Sequence, residues 1–199
     1  MAGIGFQLRA VLGKGELSGT VGAVASGLFV VAGPWLASAA SMSMLQLSLA
    51  RRGLEGGPAF FAVVIYCFAV SLCLYAGLHY LFTRLVADLS WDGRYGEATS
   101  WMLRLATFSA LTAMALGWTF LSILPIDEAL VGEGFTLASV FLFGAVSAAW
   151  ILLLYTSLIR NHRLVTAAFA VGMAVGVMAA TSLARTRGVA GAALGYAAG

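Results

Sequence analysis

Val30-Val31-Ala32-Gly33-Pro34-Trp35 interrupts an apolar run that continues on both sides, from Thr20 to Ala50. Proline has no N–H to donate and its ring crowds the preceding turn, so in water it usually ends a helix. In lipid the helix persists with a kink, because neighbouring helices re-satisfy the freed backbone group. The apolar sequence on both sides of Pro34 therefore favours one bent membrane helix, with Gly33 and Pro34 as its hinge.

The rest of the chain has the same character. Hydrophobic residues make up 61% and charged residues 10%, with a mean hydropathy of +0.97. Soluble domains carry about 45–50% apolar and about 25% charged residues. The surplus cannot fit one soluble core, so the fold class is all-α, a polytopic helical membrane protein. The net charge is only +3. Its basic residues are scattered, never more than two together, whereas nucleic-acid binding needs a concentrated basic patch. They read instead as loop charges that orient the chain in a bilayer.

Residues 1–19 are not a secretory signal, because Arg9 and Lys14 break the region where an apolar core should run. Ile4, Leu8, Val11 and Leu12 recur on one helical face, which predicts an amphipathic helix at the membrane interface. Spans are then expected at about 20–49, 59–85, 101–124, 135–159 and 164–183. The longest polar connection is expected at 86–99, and Pro125 should stop the third span. A sixth apolar stretch runs from Gly188 to Gly199. Spanning takes about 17–25 residues, so this stretch is expected to be a sixth helix cut short, completing a six-helix lobe. With the N-terminus cytoplasmic, Arg9, Lys14, Arg84, Arg94, Arg104, Arg160 and Arg163 lie inside and Arg51, Arg52, Arg185 and Arg187 outside.

Catalysis has little to work with. Every Asp and Glu falls outside the expected spans, and Asp127-Glu128 sits on a loop with no histidine near it. Gly13-Lys14-Gly15 lacks the upstream glycine of a phosphate-binding loop. His79 and His162 lie in different segments, so no metal spacing exists and neither metal nor cofactor is expected. His79, near the inner end of its span, reads as a snorkelling or capping residue. Cys67 and Cys73 stand about 9 Å apart along a helix, too far for a disulfide, and are expected to be two buried thiols.

The remaining polar residues in the spans are mostly hydroxyls. Thr107, Thr112, Thr119, Ser122 and Ser147 read as hydrogen-bonding their own or a neighbouring helix. Beyond the kink, Ser38, Ser41 and Ser48 fall with Pro34 on one stripe, and Gln46 lies off it. These four are the candidates for a mildly polar substrate path suited to an uncharged, hydroxyl-rich molecule. Gly172 and Gly176 form a small-xxx-small pair, and Gly188, Gly191 and Gly195 line one face of the sixth stretch. Such glycines let helix backbones approach closely.

Met1-Ala-Gly-Ile-Gly-Phe-Gln-Leu-Arg9, followed by Gly33-Pro34-Trp35 in the first span, resembles the start of the Pel exopolysaccharide transporter family, PelG. That family typically opens M-A-G-I-G-F-E-L-R and carries S-G-P-W in its first helix. Here Gln7 stands where Glu is usual and Ala32 where Ser is usual. The resemblance implies a place in the superfamily of multidrug, oligosaccharidyl-lipid and polysaccharide flippases, with about twelve helices in two lobes. This chain would be the N-terminal lobe, its partner lobe missing. The resemblance further implies export of an amino-sugar-rich polymer of the biofilm matrix across the bacterial inner membrane. The implied partners are membrane lipid, the polysaccharide substrate, a cytoplasmic Pel-type glycosyltransferase and the membrane components of that machinery. Two other readings compete: a non-conducting scaffold for a polysaccharide synthase, and a cation-coupled small-molecule exporter of the same superfamily. An acidic residue within a span would favour the exporter, and none is present.

Overall fold

A computed structural model describes residues 36–124, 131–158 and 162–199. The amphipathic segment, Gly33 and Pro34 lie outside the described residues. Five helices follow one another: α1 (Leu36–Ala50), α2 (Gly57–Trp91), α3 (Tyr95–Leu121), α4 (Phe135–Leu158) and α5 (His162–Ala197). The described residues contain no strand. Among the described residues, three helices are long and apolar enough to cross a bilayer by length and composition, namely α2, α4 over Phe135–Thr156 and α5 over Ala167–Ala197. The stretch expected as a third span lies on α3, which is not among the three. Arg104 and a series of threonines and serines dilute its apolar character.

Turn chemistry sets the ends of α2. Pro58 occupies the first turn, where a missing N–H costs nothing. At the other end Gly93 takes a left-handed φ of 73°, and the Arg94 N–H reaches back to the Leu89 carbonyl at 2.8 Å. The stretch 86–99 is therefore not a long connection. Helix α2 continues to Trp91 and α3 begins at Tyr95. Phe82, Val86 and Leu89 carry the buried stripe onward, packed with Ala98, Ala106 and Ile151. Polar residues occupy only the opposite face, so the helix outlasts its purely apolar part.

Helix α4 is the hub, packed against α2, α3 and α5. Small residues permit this. A Cβ at Gly144 would lie 2.6 Å from Met114 Cγ and 3.2 Å from the Ala110 carbonyl oxygen of α3. Helix α1 joins the same core through Leu45 and Leu49, which are buried with Phe60 and Val64 of α2.

Helix α5 folds back on itself. It stays helical through Arg187, past the point where the fifth span was expected to end. At Gly188, φ is 58° and ψ is −140°, a conformation open in practice only to glycine. The chain then returns antiparallel, so that residues 189–197 lie along residues 172–187. A Cβ at Gly195 would overlap the Ala179 and Ala180 backbone. One at Gly191 would meet Leu183 and Arg187, and one at Gly172 would lie 2.7 Å from the Gly199 carbonyl oxygen. Gly176 faces Tyr196 and Gly199. The return leg sits inside the bundle: Val189 to Ala193, Gly195 and Tyr196 are all buried.

Candidate functional site

On α1 the hydroxyls separate. Ser41 is buried, donates to the Ser38 carbonyl at 2.8 Å and lies 3.5 Å from Met173 Sδ on α5. The Tyr196 hydroxyl of the return leg approaches the same sulfur at 3.4 Å. Ser41, Met173 and Tyr196 thus tie three segments together. Ser38 and Ser48 are half-buried and Gln46 is exposed. Ser48 belongs to a different place, a groove of about 380 Å³ shared with Met44, Leu47, Arg51 and Arg52. The structure does not gather the four polar candidates into one lining.

A cavity of about 540 Å³ lies between α4 and both legs of α5. Phe68, Trp150, Phe169, Met173 and Tyr196 supply its bulky walls, and Gly172 and Gly176 its floor. Apolar surface predominates. Thr156 and Tyr196 are its hydroxyl-bearing residues.

A second set of polar residues lies across α2, α3 and α4. Trp150 Nε1–H donates to Ser71 Oγ at 3.0 Å, joining α4 to α2. The Tyr75 hydroxyl donates to the Ser109 carbonyl at 2.9 Å and lies 2.7 Å from Thr112 Oγ1, joining α2 to α3. Ser109 Oγ donates to the Ala106 carbonyl and lies 3.4 Å from the Ser147 carbonyl of α4. Ser71, Ser109 and Ser147 are fully buried. Each also donates to a carbonyl of its own helix, so none is left without a partner.

Sequence reading missed Ser71, Tyr75, Ser109 and Trp150. A signal existed for the first two: Ser71, Tyr75, His79 and Thr83 recur every fourth residue, one polar stripe on an apolar helix. His79 is half-buried. Its Nε2 is buried and has no hydrogen-bond partner. Cys67 is buried as expected, but Cys73 is exposed, on the α2 face turned away from the other helices.

Among the described residues no group of three His, Cys, Asp or Glu is placed to hold a metal ion. The ion pairs lie at the polar helix ends, Arg84 with Asp88 at 3.1 Å and Arg94 with Glu97 at 2.6 Å. What the described interior offers is hydroxyls, aromatic rings and close backbones.

This apolar helical bundle fits the family that matches the whole chain, residues 1–199: PelG, described as "Putative exopolysaccharide Exporter (EPS-E)". The chain belongs to the PelG family. That membership, with three helices able to cross a bilayer, makes it a membrane protein of a family associated with exopolysaccharide export. No curated protein and no solved structure matches it.

Proposed function

We propose that this chain is the N-terminal lobe of an inner-membrane exporter that passes a growing exopolysaccharide between two helical lobes. Its N-terminus faces the cytoplasm, where a Pel-type glycosyltransferase delivers the polymer. The family match over residues 1–199 carries the reading. Two features of the bundle support it. The α5 hairpin is packed through small residues, with a weak Tyr196–Met173 hydrogen bond linking its legs, and the half-buried serines of α1 supply hydroxyls for a hydroxyl-rich chain.

The decisive experiment removes the full-length protein from its cells and measures polymer inside and outside. Extracellular polymer should disappear and return on complementation, while glycosyltransferase recruitment stays intact. Unchanged extracellular polymer would sink the exporter reading, and lost recruitment would make the protein a scaffold. The path itself is tested by replacing Ser38 and Ser48 together with Leu, sparing the buried Ser41. Export should fall several-fold at an unchanged protein level; full export would take these serines off the path.

A further inference from the structure

We propose that His79, one helical turn from the Tyr75 link between α2 and α3, is a proton-binding site, and that its charge biases how those helices pack. Four polar residues line one stripe of α2, and three of their side chains are committed. Ser71 receives the Trp150 N–H, Tyr75 bonds Ser109 and Thr112, and Thr83 donates to the His79 carbonyl at 2.8 Å. The His79 imidazole alone keeps a buried nitrogen with no partner. Native interiors rarely leave such a nitrogen, and each one calls for an explanation. Within a spanning helix an ionisable group marks a proton or ion pathway unless something else accounts for it. The residue is only half-buried, so the ring is not sealed inside the bundle.

Among the described residues, no charged side chain is paired with it. On α2, Arg84 and Asp88 pair with each other. On α3, the Arg104 guanidinium lies over the Trp101 ring at 5.6 Å. On α4, the Tyr155 hydroxyl is 2.5 Å from Thr99. The remaining titratable neighbour is Tyr75, whose ring centroid is 6.5 Å from that of His79 with the planes 39° apart.

The chemistry is one proton. Water gives a proton to the free lone pair of the neutral imidazole, producing an imidazolium with an N–H on both nitrogens. On release the proton returns to water. The charge arises one helical turn from Tyr75, the residue whose hydroxyl anchors α2 to α3. Protonation therefore acts on the link between the two helices.

The coupling of this proton to transport rests on the exporter reading; the proton site does not. With only two histidines in the chain, nitrogen NMR of the histidine-labelled full-length protein in bilayers can follow each ring, with His79→Gln assigning the signals. The His79 signal should lose its neutral form as pH falls across the range of about 8 to 5, where histidine changes charge. Tyr75→Phe should displace that transition. A His79 ring that stays neutral throughout overturns the proposal. In cells, His79→Gln and His79→Asn should flatten the dependence of export on external pH, and His162→Gln should not. A titrating His79 whose replacement leaves that dependence intact overturns the coupling. Absence of any export would instead defeat the exporter reading, while the NMR result still decides the site.

Discussion

The α5 hairpin and the α2–α3–α4 contact are both buried, and they are held by opposite means. In the hairpin, backbones approach so closely that Gly195 has room for no side chain, and among the described residues the side-chain hydrogen bond between its two legs is that of Tyr196 to the Met173 sulfur. In the three-helix contact, Ser71, Tyr75, Ser109 and Trp150 place hydrogen bonds at each crossing. Lipid tails are as apolar as leucine, so association in a membrane relies on close packing and on polar links. This bundle keeps the two largely apart. The first kind tolerates sliding but not added bulk, and the second tolerates bulk at its edges but fixes register.

The largest effect should come from filling the close approach. Gly195→Leu must push the return leg away from the Ala179 and Ala180 backbone, which cannot yield as a flexible side chain can. A destabilisation above about 4 kcal/mol is expected, the range of severe overpacking. In practice the full-length protein should lose its monodisperse elution and melt at a much lower temperature in detergent. A variant that elutes and melts like the parent would show that the hairpin is not packed through its glycines.

The two regions also differ in how far the sequence discloses them. Long apolar runs, Pro58 and the glycine turns mark helices on composition alone, so the all-helical class is plain from the chain. The Gly188-Gly191-Gly195 spacing is equally readable, but spacing says nothing of direction. Only the left-handed φ at Gly188 turns that face back onto α5. The polar contact is harder to find. The stripe of Ser71, Tyr75, His79 and Thr83 is visible in the sequence, but which helices it faces is not until α3 and α4 are set beside it, and Trp150 reads as bulk rather than as a donor. The long connection expected at 86–99 failed for a physical reason. A helix pair can carry its buried stripe past its purely apolar run, and Val86 and Leu89 do so. The serines of α1 show the same limit, because one stripe by sequence becomes a buried Ser41 and a Ser48 beside two arginines.

A smaller effect is expected on the polar side. Tyr75→Phe removes one hydroxyl and keeps the ring. Thr112 retains its bond to the Phe108 carbonyl, so little is orphaned. Interhelical hydrogen bonds in membranes contribute about 0.6 kcal/mol on average, with a maximum near about 1.7. Thermal unfolding of Tyr75→Phe should fall within that range and far short of Gly195→Leu. An effect as large as that of the glycine variant would erase the distinction between the two regions.

The smallest effect lies outside both, where α3 begins. Glu97 accepts from Arg94 through two hydrogen bonds, at 2.8 and 2.6 Å, in the first turn of the helix, where a negative charge also favours the helix dipole. The hydrogen bonds and then the charge of Arg94 hold the Glu97 carboxyl below the usual carboxylate range. A carboxyl depressed in the folded state stabilises above its unfolded value of about 4.3 and loses that contribution as pH falls through the lower, folded value. Acidification from about pH 5 downward should therefore narrow the gap in melting temperature between the parent and Glu97→Gln. Both side chains are about half exposed, so solvent and salt screen the pair and the gap at neutral pH should be small. Raising the ionic strength should shrink it further. A gap that survives both acid and high salt would mean that Glu97 acts through packing, and that the polar ends of these helices are held like the hairpin rather than by charge.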